Sequence, residues 1–396
     1  MKTWIRKRLD ISTKDLIYAA SCCLTTGSRS AITQKIESIW DTENQKALVS
    51  FSVRTGFDLL LEALKFEQGD EVLISALTIP DMPGIIENHG LVPIPIDLTI
   101  DDLAPSVEKI EAAITTKTKA IVVAHLFGGI INLDKISEVA KRHHILLIED
   151  CAQSFYSISY SGNPKSDVSM FSFGTIKTAT ALGGAIVIVR NNVPLANKMQ
   201  KLYSAYPVQH RKKFLQKAIK YIFITFLSAP RIFPKVIKFI KRKNIDYDSY
   251  IHNLSRSFPS GNFFENIRKQ PCFPLLKLLL YRLETYQHKT IEARIERGNY
   301  LLQNLPDSLK FPGQLATFQS YWAFPILATE PQKVMDILRE NGFDATNKNS
   351  LQIVGFERNS DTEALQQLQN QIVFLPLYPE IPMTELNRII KLLQKI

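Results

Sequence analysis

The sequence predicts an α/β fold, with a mainly parallel sheet in a large first domain and a smaller α+β domain at the C-terminus. Between residues 45 and 190, short apolar runs alternate with stretches of helical periodicity, which is typical of parallel sheets covered by helices. The chain has 396 residues, more than one hydrophobic core usually holds. After residue 205 the alternation stops, so we expect a second region there.

Four regions follow from these patterns. Residues 1–45 are predicted to be an N-terminal helical segment, and residues 46–205 the large α/β domain. The strand candidates of this domain are ALVSFSV, EVLISAL, VPIPIDL, AIVVAHLFG and ILLIED, with helix candidates such as TGFDLLLEALKF and LDKISEVAKRH between them. Residues 206–284 are predicted to be a basic, aromatic helical insertion and linker. Residues 285–396 are predicted to be the small domain, because helical patterns accompany the apolar runs SYWAFPIL and IVFLPLYP.

The composition is that of an ordinary folded chain and indicates a reducing compartment. Hydrophobic residues make up 45% and charged residues 22% of the chain, which argues against wholesale disorder. The four cysteines fit neither a metal-ligand spacing nor a disulfide framework. The basic start MKTWIRKRLDIST has no apolar stretch behind it, unlike a secretory signal. We therefore expect a cytoplasmic protein without a metal site.

Asp150 and Lys177 are the first candidate catalytic residues. Asp150 ends the apolar run ILLIED, and Lys177 follows 27 positions later, after the strand candidate VSMFSFG. Parallel-sheet domains carry their chemistry at the carboxyl ends of the strands. Pyridoxal phosphate (PLP) chemistry needs a lysine for a Schiff base and an acid that keeps the pyridine nitrogen protonated. Each residue alone has a simpler interpretation, Asp150 as a helix cap and Lys177 as a lysine that extends to solvent.

The turn between strand and helix in VRTGFDLLLEALKF is the candidate phosphate site. Helix N-termini bind anions because their first N–H groups have no partner within the helix. Thr55 is predicted to cap this helix together with Asp58, and Gly56 to form the tight turn. Ser172 and Thr175 are close in sequence to the candidate lysine and are expected to add hydroxyl contacts to the same phosphate.

These stretches together resemble the DegT/DnrJ/EryC1/StrS sugar aminotransferases, which are PLP enzymes of fold type I. The similarity runs in family order through GDEVLISALTIPD, ITTKTKAIVVAHLFGG, AKRHHILLIEDCAQSF, DVSMFSFGTIKTATALGGAIV and FLPLYPEIPMTELNRIIKLL. It covers about residues 45–205 and 285–396. The resemblance implies fold type I, PLP as the cofactor, and a homodimer whose active sites lie at the subunit interface.

The resemblance also implies roles for individual residues. Lys177 is expected to form the Schiff base with PLP, and Asp150 to pair with its pyridinium nitrogen. Gln153, in the EDCAQ motif, is expected to contact the ring hydroxyl of the cofactor. The other expected contacts are Thr55, Gly56 and Ser172 to the phosphate, Asn266 to the phosphate in the neighbouring subunit, and His125 and Thr78 to the substrate.

Family members usually move an amino group from glutamate to a nucleotide-linked keto sugar, and the resemblance implies this activity. Family dehydratases carry histidine at the position of Lys177, so the lysine favours transamination. Val53, Ile79 and Leu182 depart from the residues common in the family. These departures leave a second hypothesis open, a PLP- or sugar-binding scaffold with reduced catalysis that residues 211–243 recruit to the membrane.

Residues 211–243 are basic, aromatic and outside the resemblance. They include eleven Lys or Arg residues and no Asp or Glu, against a net charge of +10 for the whole chain. Three interpretations stay open: a helix pair on an anionic membrane surface, a basic lid over a diphosphate-bearing substrate, and a dimer contact. Nucleic acid is not an expected partner, because no recognised reader motif is present. The predicted faces of the first helix are Lys213, Lys217 and Lys220 on one side and Phe214, Ala218, Ile222 and either Phe226 or Thr225 on another.

Overall fold

A seven-stranded sheet forms the centre of the large domain in the computed structural model, which describes residues 2–243, 248, 262–354 and 363–396. The strands of the described chain are, in order, β1 (Gln45–Ser50), β2 (Glu71–Ser75), β3 (Leu77–Thr78), β4 (Val92–Ile96), β5 (Thr118–Ala124), β6 (Gly129–Ile130), β7 (Leu146–Asp150), β8 (Val168–Ser172), β9 (Ala185–Arg190), β10 (Phe318–Gln319), β11 (Phe324–Leu327), β12 (Gln352–Ile353) and β13 (Ile372–Leu375).

The order of strands across the large sheet is β1-β9-β8-β7-β5-β2-β4. Strands β4, β2, β5, β7 and β8 run parallel to their neighbours, whereas β9 runs antiparallel to both β8 and β1. The predicted α/β fold with a mainly parallel sheet is therefore confirmed. The carboxyl ends of β5, β7 and β8 meet at one edge, where sheets of this kind usually bind their ligands.

Helices cover both faces of this sheet and build much of the remaining chain. In order they are α1 (Thr13–Cys22), α2 (Arg29–Glu37), α3 (Val53–Leu64), α4 (Asp81–Asn88), α5 (Val107–Ala113), α6 (Asp134–Arg142), α7 (Val193–Tyr203), α8 (Arg211–Leu227), α9 (Phe233–Arg242), α10 (Phe263–Ile267), α11 (Phe273–Thr285), α12 (His288–Gln303), α13 (Pro331–Glu340), α14 (Glu363–Gln371) and α15 (Met383–Leu393). Because both faces are covered, every residue of β8 and β9 is buried, which explains their nearly continuous apolar sequence.

Two apolar clusters lie on opposite faces of the sheet. One cluster joins α3 and α7 to the strands and includes Phe57 and Met199. The other joins α1, α8 and α11 to the strands and includes Leu16, Phe214 and Leu276. Burial of such side chains contributes about 1.5–3 kcal/mol each to stability. Helix α8, from the basic insertion, is therefore part of the core of the large domain.

The start of α3 differs from the sequence prediction. The helix begins at Val53, and the hydroxyl of Ser52 accepts a hydrogen bond from the Thr55 N–H at 3.1 Å. Ser52 is the N-cap, so the prediction that Thr55 caps the helix was wrong by one turn. Asp58 does not complete a capping box either, because its carboxylate accepts two hydrogen bonds from Arg268, each at 2.9 Å. Serine is one of the preferred N-cap residues, and Ser52 directly precedes the first residue of the helix.

The small domain is built on the antiparallel pair of β11 and β13, with α12, α13 and α15 around it. The first residues of the chain join this domain. Trp4 forms a parallel bridge with Phe343, and the Arg6 guanidinium donates to the Asp344 carboxylate at 3.0 and 2.7 Å. The start of the chain is thus held against its C-terminal region, while the boundaries at residues 45, 205 and 284 remain predictions.

The two helices of the insertion pack on different parts of the molecule. Helix α8 buries Phe214, Ala218 and Tyr221 against the large domain, whereas α9 buries Phe233 in the cluster of the small domain. Phe226, predicted on the same face of α8 as Phe214 and Ala218, is 63% exposed, whereas those two residues are buried. Within the region predicted as insertion and linker, residues 244–247 and 249–261 lie outside the described chain.

Two expectations about the whole chain can be compared with the structure. All four cysteines are unpaired, in agreement with their spacing in the sequence. None of the described helices combines the length and the apolar character that crossing a bilayer requires.

Candidate active site

Asp150 and Lys177 lie at the same edge of the large sheet. Asp150 is the last residue of β7, and β7 pairs with β8. Lys177 lies in the turn between β8 and β9, where its backbone N–H donates to the Gly174 carbonyl at 3.0 Å. The chain therefore returns Lys177 to the carboxyl end of the strand that carries Asp150, as the two motifs predicted.

Burial perturbs the charges of both residues. It lowers the pKa of Lys177 to about 8, while the charge of Asp150 opposes this shift and Arg54 adds to it. Burial also raises the pKa of Asp150, whereas the hydrogen bond from the Ala152 N–H and the charge of Lys177 lower it in part. Both side chains are enclosed yet keep some accessible surface, and Lys177, unlike Asp150, lines both cavities described below. An enclosed amine with a lowered pKa is a nucleophile at neutral pH.

Arg54 is a cation of this site that the sequence analysis missed. It lies in the first turn of α3 and forms an ion pair with Asp81. Its charge acts on both Lys177 and Asp150, so it contributes to the positive potential around them. The signal in the sequence was its place directly before the predicted phosphate turn, in VRTG.

Lys177 lies between two cavities. The larger has a volume of about 1210 Å³ and extends between α8, α9 and the small domain, with mostly apolar walls that include Ile79, Phe223 and Phe233. The smaller has a volume of about 410 Å³ and mostly polar walls that include Thr178. The amine is therefore accessible both from an apolar space and from a polar one.

Gln153 and Thr175 line the larger cavity beside Lys177. The Gln153 side-chain oxygen accepts a hydrogen bond from the Phe127 N–H at 2.9 Å, which fixes the orientation of its amide. The phenol of Tyr221, from α8, approaches Thr175: burial raises the pKa of Tyr221 and the Thr175 hydroxyl opposes the rise. Helix α8 of the insertion thus reaches to within two residues of the candidate lysine.

The predicted phosphate contacts do not line either cavity. The Thr55 hydroxyl donates to the Ile267 carbonyl at 2.7 Å, and Ser172 accepts from the Gly174 N–H at 3.3 Å. Gly56 packs directly against strand β9, where a Cβ atom would collide with a valine side chain. Asn266 accepts from the Lys269 ammonium at 3.3 Å. Thr55, Gly56, Ser172 and Asn266 are absent from the walls of both cavities, so their phosphate contacts remain predictions.

His125 and Thr78, the predicted substrate contacts, are both buried. His125 is fully buried; its Nδ1 accepts from the Ile131 N–H at 3.3 Å, and its Nε2 lies 3.2 Å from the Glu149 carboxylate. Thr78 is buried in β3, and its neighbour Ile79 lines the cavity instead. Neither residue lines either cavity, and their contact with the substrate remains a prediction.

The ligand-type atoms of His125, Glu149 and Cys151 lie within 4.8 Å of one another. Hydrogen bonds within the protein account for this cluster, since the Glu149 carboxylate also accepts from the Cys151 thiol at 3.3 Å and from the Asn163 N–H at 2.8 Å. The cluster therefore supports the end of β7, directly behind Asp150.

Two further residues at the candidate lysine were missed by the sequence analysis. The Lys7 ammonium lies 2.9 Å from the centroid of the Trp322 ring, and the Lys177 ammonium lies 4.5 Å from the same centroid. Trp322 also donates from its indole nitrogen to the Ile176 carbonyl at 3.0 Å. Lys7 lies in the basic start of the chain, where charged residues are usually solvated, and Trp322 lies in a predicted strand. No local sequence pattern therefore indicated that either residue belongs to the site.

The residues at this junction fit PLP. An enclosed amine with a pKa near 8 suits attachment to an aldehyde, and the buried carboxylate of Asp150 suits a protonated ring nitrogen. Lys177 would hold the cofactor covalently and Asp150 would hold its ring nitrogen. Gln153 lies between them in the chain and on the same cavity wall as Lys177.

Part of the chain matches a known enzyme family. Residues 41–222 match the sequence profile of the DegT/DnrJ/EryC1/StrS aminotransferase family. GDP-perosamine synthase from Escherichia coli O157:H7 is 34% identical over 185 residues, which are 45% of this chain and 50% of the relative. The chain thus matches about half the length of this curated relative.

Solved structures agree with the fold over nearly the whole chain. A DegT DnrJ EryC1 StrS aminotransferase from Brucella abortus has a TM-score of 0.70 at 17% identity, covering 96% of this chain and 95% of its own. Helicobacter pylori PseC, an aminotransferase involved in pseudoaminic acid biosynthesis, has a TM-score of 0.70 at 15% identity, covering 100% of this chain and 99% of its own. The E. coli GDP-4-keto-6-deoxy-D-mannose-3-dehydratase with bound hydrated PLP has a TM-score of 0.71 at 15% identity, covering 99% of this chain and 100% of its own. The fold therefore accommodates both transamination and dehydration.

Proposed function

Because the chain belongs to the DegT/DnrJ/EryC1/StrS aminotransferase family, whose typical cofactor is PLP, we propose that it is an aminotransferase acting on a keto sugar. The observation that carries this proposal is the enclosed amine of Lys177 at the carboxyl edge of the sheet, beside the buried carboxylate of Asp150. Lysine at this position favours transamination over the dehydration performed by family members with histidine there.

The roles of the two residues follow from their electrostatics. Bound PLP supplies an aldehyde that takes up an amino group and a ring that accepts electrons from the substrate carbon. Asp150 keeps a protonated nitrogen in place, because its carboxylate accepts a hydrogen bond from the Ala152 N–H at 2.9 Å and is held in one orientation. Lys177 takes and returns a proton at the reacting carbon, since a base with a pKa near the working pH does both efficiently.

We propose glutamate as the amino donor and a nucleotide-linked keto sugar as the acceptor. The match to GDP-perosamine synthase supports a nucleotide-linked sugar. The larger cavity, about 1210 Å³, exceeds the usual ~300–1000 Å³ range of small-molecule sites and has room for such an acceptor.

Transfer of labelled nitrogen tests this proposal. PLP-loaded protein is incubated with ¹⁵N-glutamate and a panel of nucleotide-linked keto sugars, and the sugars are analysed by mass spectrometry. We expect one acceptor to gain the label, Lys177→Ala to abolish the transfer, and Asp150→Asn to keep PLP but lose most of the rate. Retention of PLP without transfer from any amino donor would instead support the scaffold with reduced catalysis.

We further propose that residues 211–243 close the active site and attach the protein peripherally to the cytoplasmic face of a membrane. Tyr221 of α8 packs beside the active-site turn, which supports the lid. Phe223 and Phe226 of α8 and Phe239 of α9 line the larger cavity and are 62%, 63% and 63% exposed. Exposed aromatic side chains among lysines are typical of interfacial helices.

Vesicle co-sedimentation tests the membrane contact. Each basic residue near an anionic surface contributes about 1 kcal/mol, so binding should weaken with salt, and the exposed phenylalanines should retain part of it. Changing the exposed lysines Lys213, Lys220, Lys235 and Lys238 to glutamate should abolish binding to anionic vesicles. Lys217 is left unchanged because its ammonium is enclosed by the protein, and this burial lowers its pKa to about 8. Equal sedimentation of both proteins would refute the membrane contact and leave the lid.

We also propose that the protein is a homodimer, as its family implies. The exposed aromatic side chains of α8 and α9 are the alternative surface for this contact. Light scattering after size exclusion measures the mass directly, and Phe223→Ser with Phe226→Ser shows whether this surface forms the dimer or only meets the membrane. A monomer at micromolar concentration would contradict the dimer.

A further inference from the structure

The smaller cavity beside Lys177 has a strongly basic wall. Lys7, Thr178 and Arg294 line it together with Lys177 and the Trp322 ring. Its volume, about 410 Å³, lies near the lower end of the ~300–1000 Å³ typical of small-molecule sites. The cavity is thus large enough for a small acid and too small for a nucleotide-linked sugar.

The N-terminal segment holds Lys7 in this wall. Its neighbour Arg6 forms ion pairs with Asp344 and Asp248, each at 2.7 Å, which fix the segment on the small domain. The Lys7 ammonium then lies over the Trp322 ring, 2.9 Å from its centroid. Burial lowers the pKa of Lys7 well below its ordinary value, and the charges of Lys177 and Arg294 lower it further.

Arg294 enters the same cavity from α12. Its Nε donates to the Ser320 carbonyl at 2.6 Å, and both terminal nitrogens lie 3.3 Å from the Thr178 hydroxyl. These contacts orient the guanidinium without neutralising it. Arg294 is buried, so solvent screens its charge only weakly.

The carboxylates around this cavity form hydrogen bonds or ion pairs with other groups. Asp15 pairs with Arg282 at 2.7 Å. Asp10 accepts from the Ala179 N–H at 2.9 Å and from the Tyr286 hydroxyl at 2.6 Å.

The third carboxylate of the wall, Glu380, pairs with Arg8 at 3.4 Å. Among the residues that the structure describes, no ion pair includes Lys7, Lys177 or Arg294. Asp150 favours the charge of Lys177, and Asp10 favours those of Lys7 and Arg294. Lys177 and Arg294 still oppose the charge of Lys7, and an anionic ligand relieves that repulsion.

We propose that Lys7 and Arg294 bind a carboxylate of the amino donor in the smaller cavity. This inference rests on the proposed aminotransferase function and assigns the two substrates to different spaces: the donor acid to the polar cavity and the acceptor to the larger, apolar one. Lys177 lies where both cavities meet, so either substrate can present its reacting carbon to the same amine.

Calorimetric titration with glutarate tests the assignment. Glutarate has two carboxylates and no amine, so its binding to the PLP-loaded protein is measured without any reaction. We expect Lys7→Met to weaken glutarate binding at least tenfold and Lys7→Arg to retain most of the affinity. Arg8→Met is the matched control, because it removes the same charge from the adjacent residue. Arg8 also lines the cavity but is 41% exposed and already paired with Glu380.

The control and a second ligand decide the outcome. Equal affinity of the wild-type protein and Lys7→Met for glutarate would overturn the proposal, as would an equal loss in Arg8→Met. Inorganic phosphate is titrated in parallel, and a loss confined to phosphate would overturn the assignment to a carboxylate. Melting temperatures show whether each variant is folded, and the Lys7→Arg result keeps the test valid if Lys7→Met is not.

Failure of this inference is distinguishable from failure of the proposed function. If Lys7→Met loses glutarate binding while the wild-type protein transfers no amino group, the anion site stands and the aminotransferase proposal fails. If the wild-type protein transfers nitrogen and Lys7→Met still binds glutarate normally, the anion site alone fails.

Discussion

The amine of Lys177 should titrate far below an ordinary lysine. Burial lowers its pKa from 10.5 to about 8. At pH 7, roughly a tenth of this amine is then neutral, against about 0.03% for an ordinary lysine, a difference of about 300-fold in reactive amine. This difference is the physical reason why this residue, rather than the many surface lysines, would capture an aldehyde.

Competitive acetylation of the apoprotein measures this titration. Trace labelling at a series of pH values, followed by peptide mass spectrometry, gives the labelling rate of Lys177 relative to added N-acetyl-lysine amide. The reference amine corrects for reagent hydrolysis and reports ordinary lysine chemistry. We expect the rate of Lys177 to rise with a midpoint near pH 8.

The variant Asp150→Asn tests the cause of the shift. The charge of Asp150 raises the pKa of Lys177 against burial, so removing it should move the midpoint lower still. A midpoint near 10 in the wild-type protein would refute the enclosure of the amine. A midpoint that rises in Asp150→Asn would refute the interaction between the two groups.

Three further predictions concern stability, each measured by chemical or thermal unfolding. Gly56→Ala should destabilise the fold by about 1–3 kcal/mol because its Cβ would collide with a β-branched side chain, whereas Gly84→Ala, with open space, should be neutral or stabilising by up to about 1 kcal/mol. Burial raises the pKa of Glu37 from 4.5 to about 7, so the unfolded chain loses this proton at a lower pH than the folded protein. The free energy of unfolding should therefore fall as the pH rises from about 4.5 to 7, and Glu37→Gln should remove that slope. Burial opposes ionisation of Asp58, but hydrogen bonds to basic groups hold its pKa below the ordinary value. The ionised carboxylate therefore contributes to the free energy of unfolding above about pH 4, and this contribution is lost as the pH falls further. Asp58→Asn should flatten that loss. The same pH slopes in these variants as in the wild-type protein would contradict the assignments.

Local sequence patterns predicted the sheet and the two central residues of the site. Alternating apolar runs place Asp150 at a strand end, and a second run before Lys177 returns the chain to the same edge. Both inferences need only the geometry of parallel crossovers. The reversed direction of β9 was not predictable in this way, because its apolar run reads the same in either direction.

The residues that were missed or misplaced depend on contacts distant in sequence. Lys7 reaches the site only because Arg6 is paired with Asp344 in the small domain. His125 follows a strand end as expected, yet it turns towards Glu149 and not towards the cavity. Side-chain direction at a strand end is set by neighbouring strands, and the sequence of one strand does not report it.

The conversion of the PLP-loaded protein by glutamate is the most direct test of the central claim that this chain is an aminotransferase acting through Lys177. Absorption spectra are recorded before and after addition of excess glutamate, and borohydride reduction followed by peptide mass spectrometry locates the cofactor. The account predicts that reduction fixes PLP on Lys177 and that glutamate converts the cofactor to its pyridoxamine form with release of 2-oxoglutarate. An unchanged spectrum with glutamate and every other amino donor, or the same reducible adduct in Lys177→Ala, would contradict it.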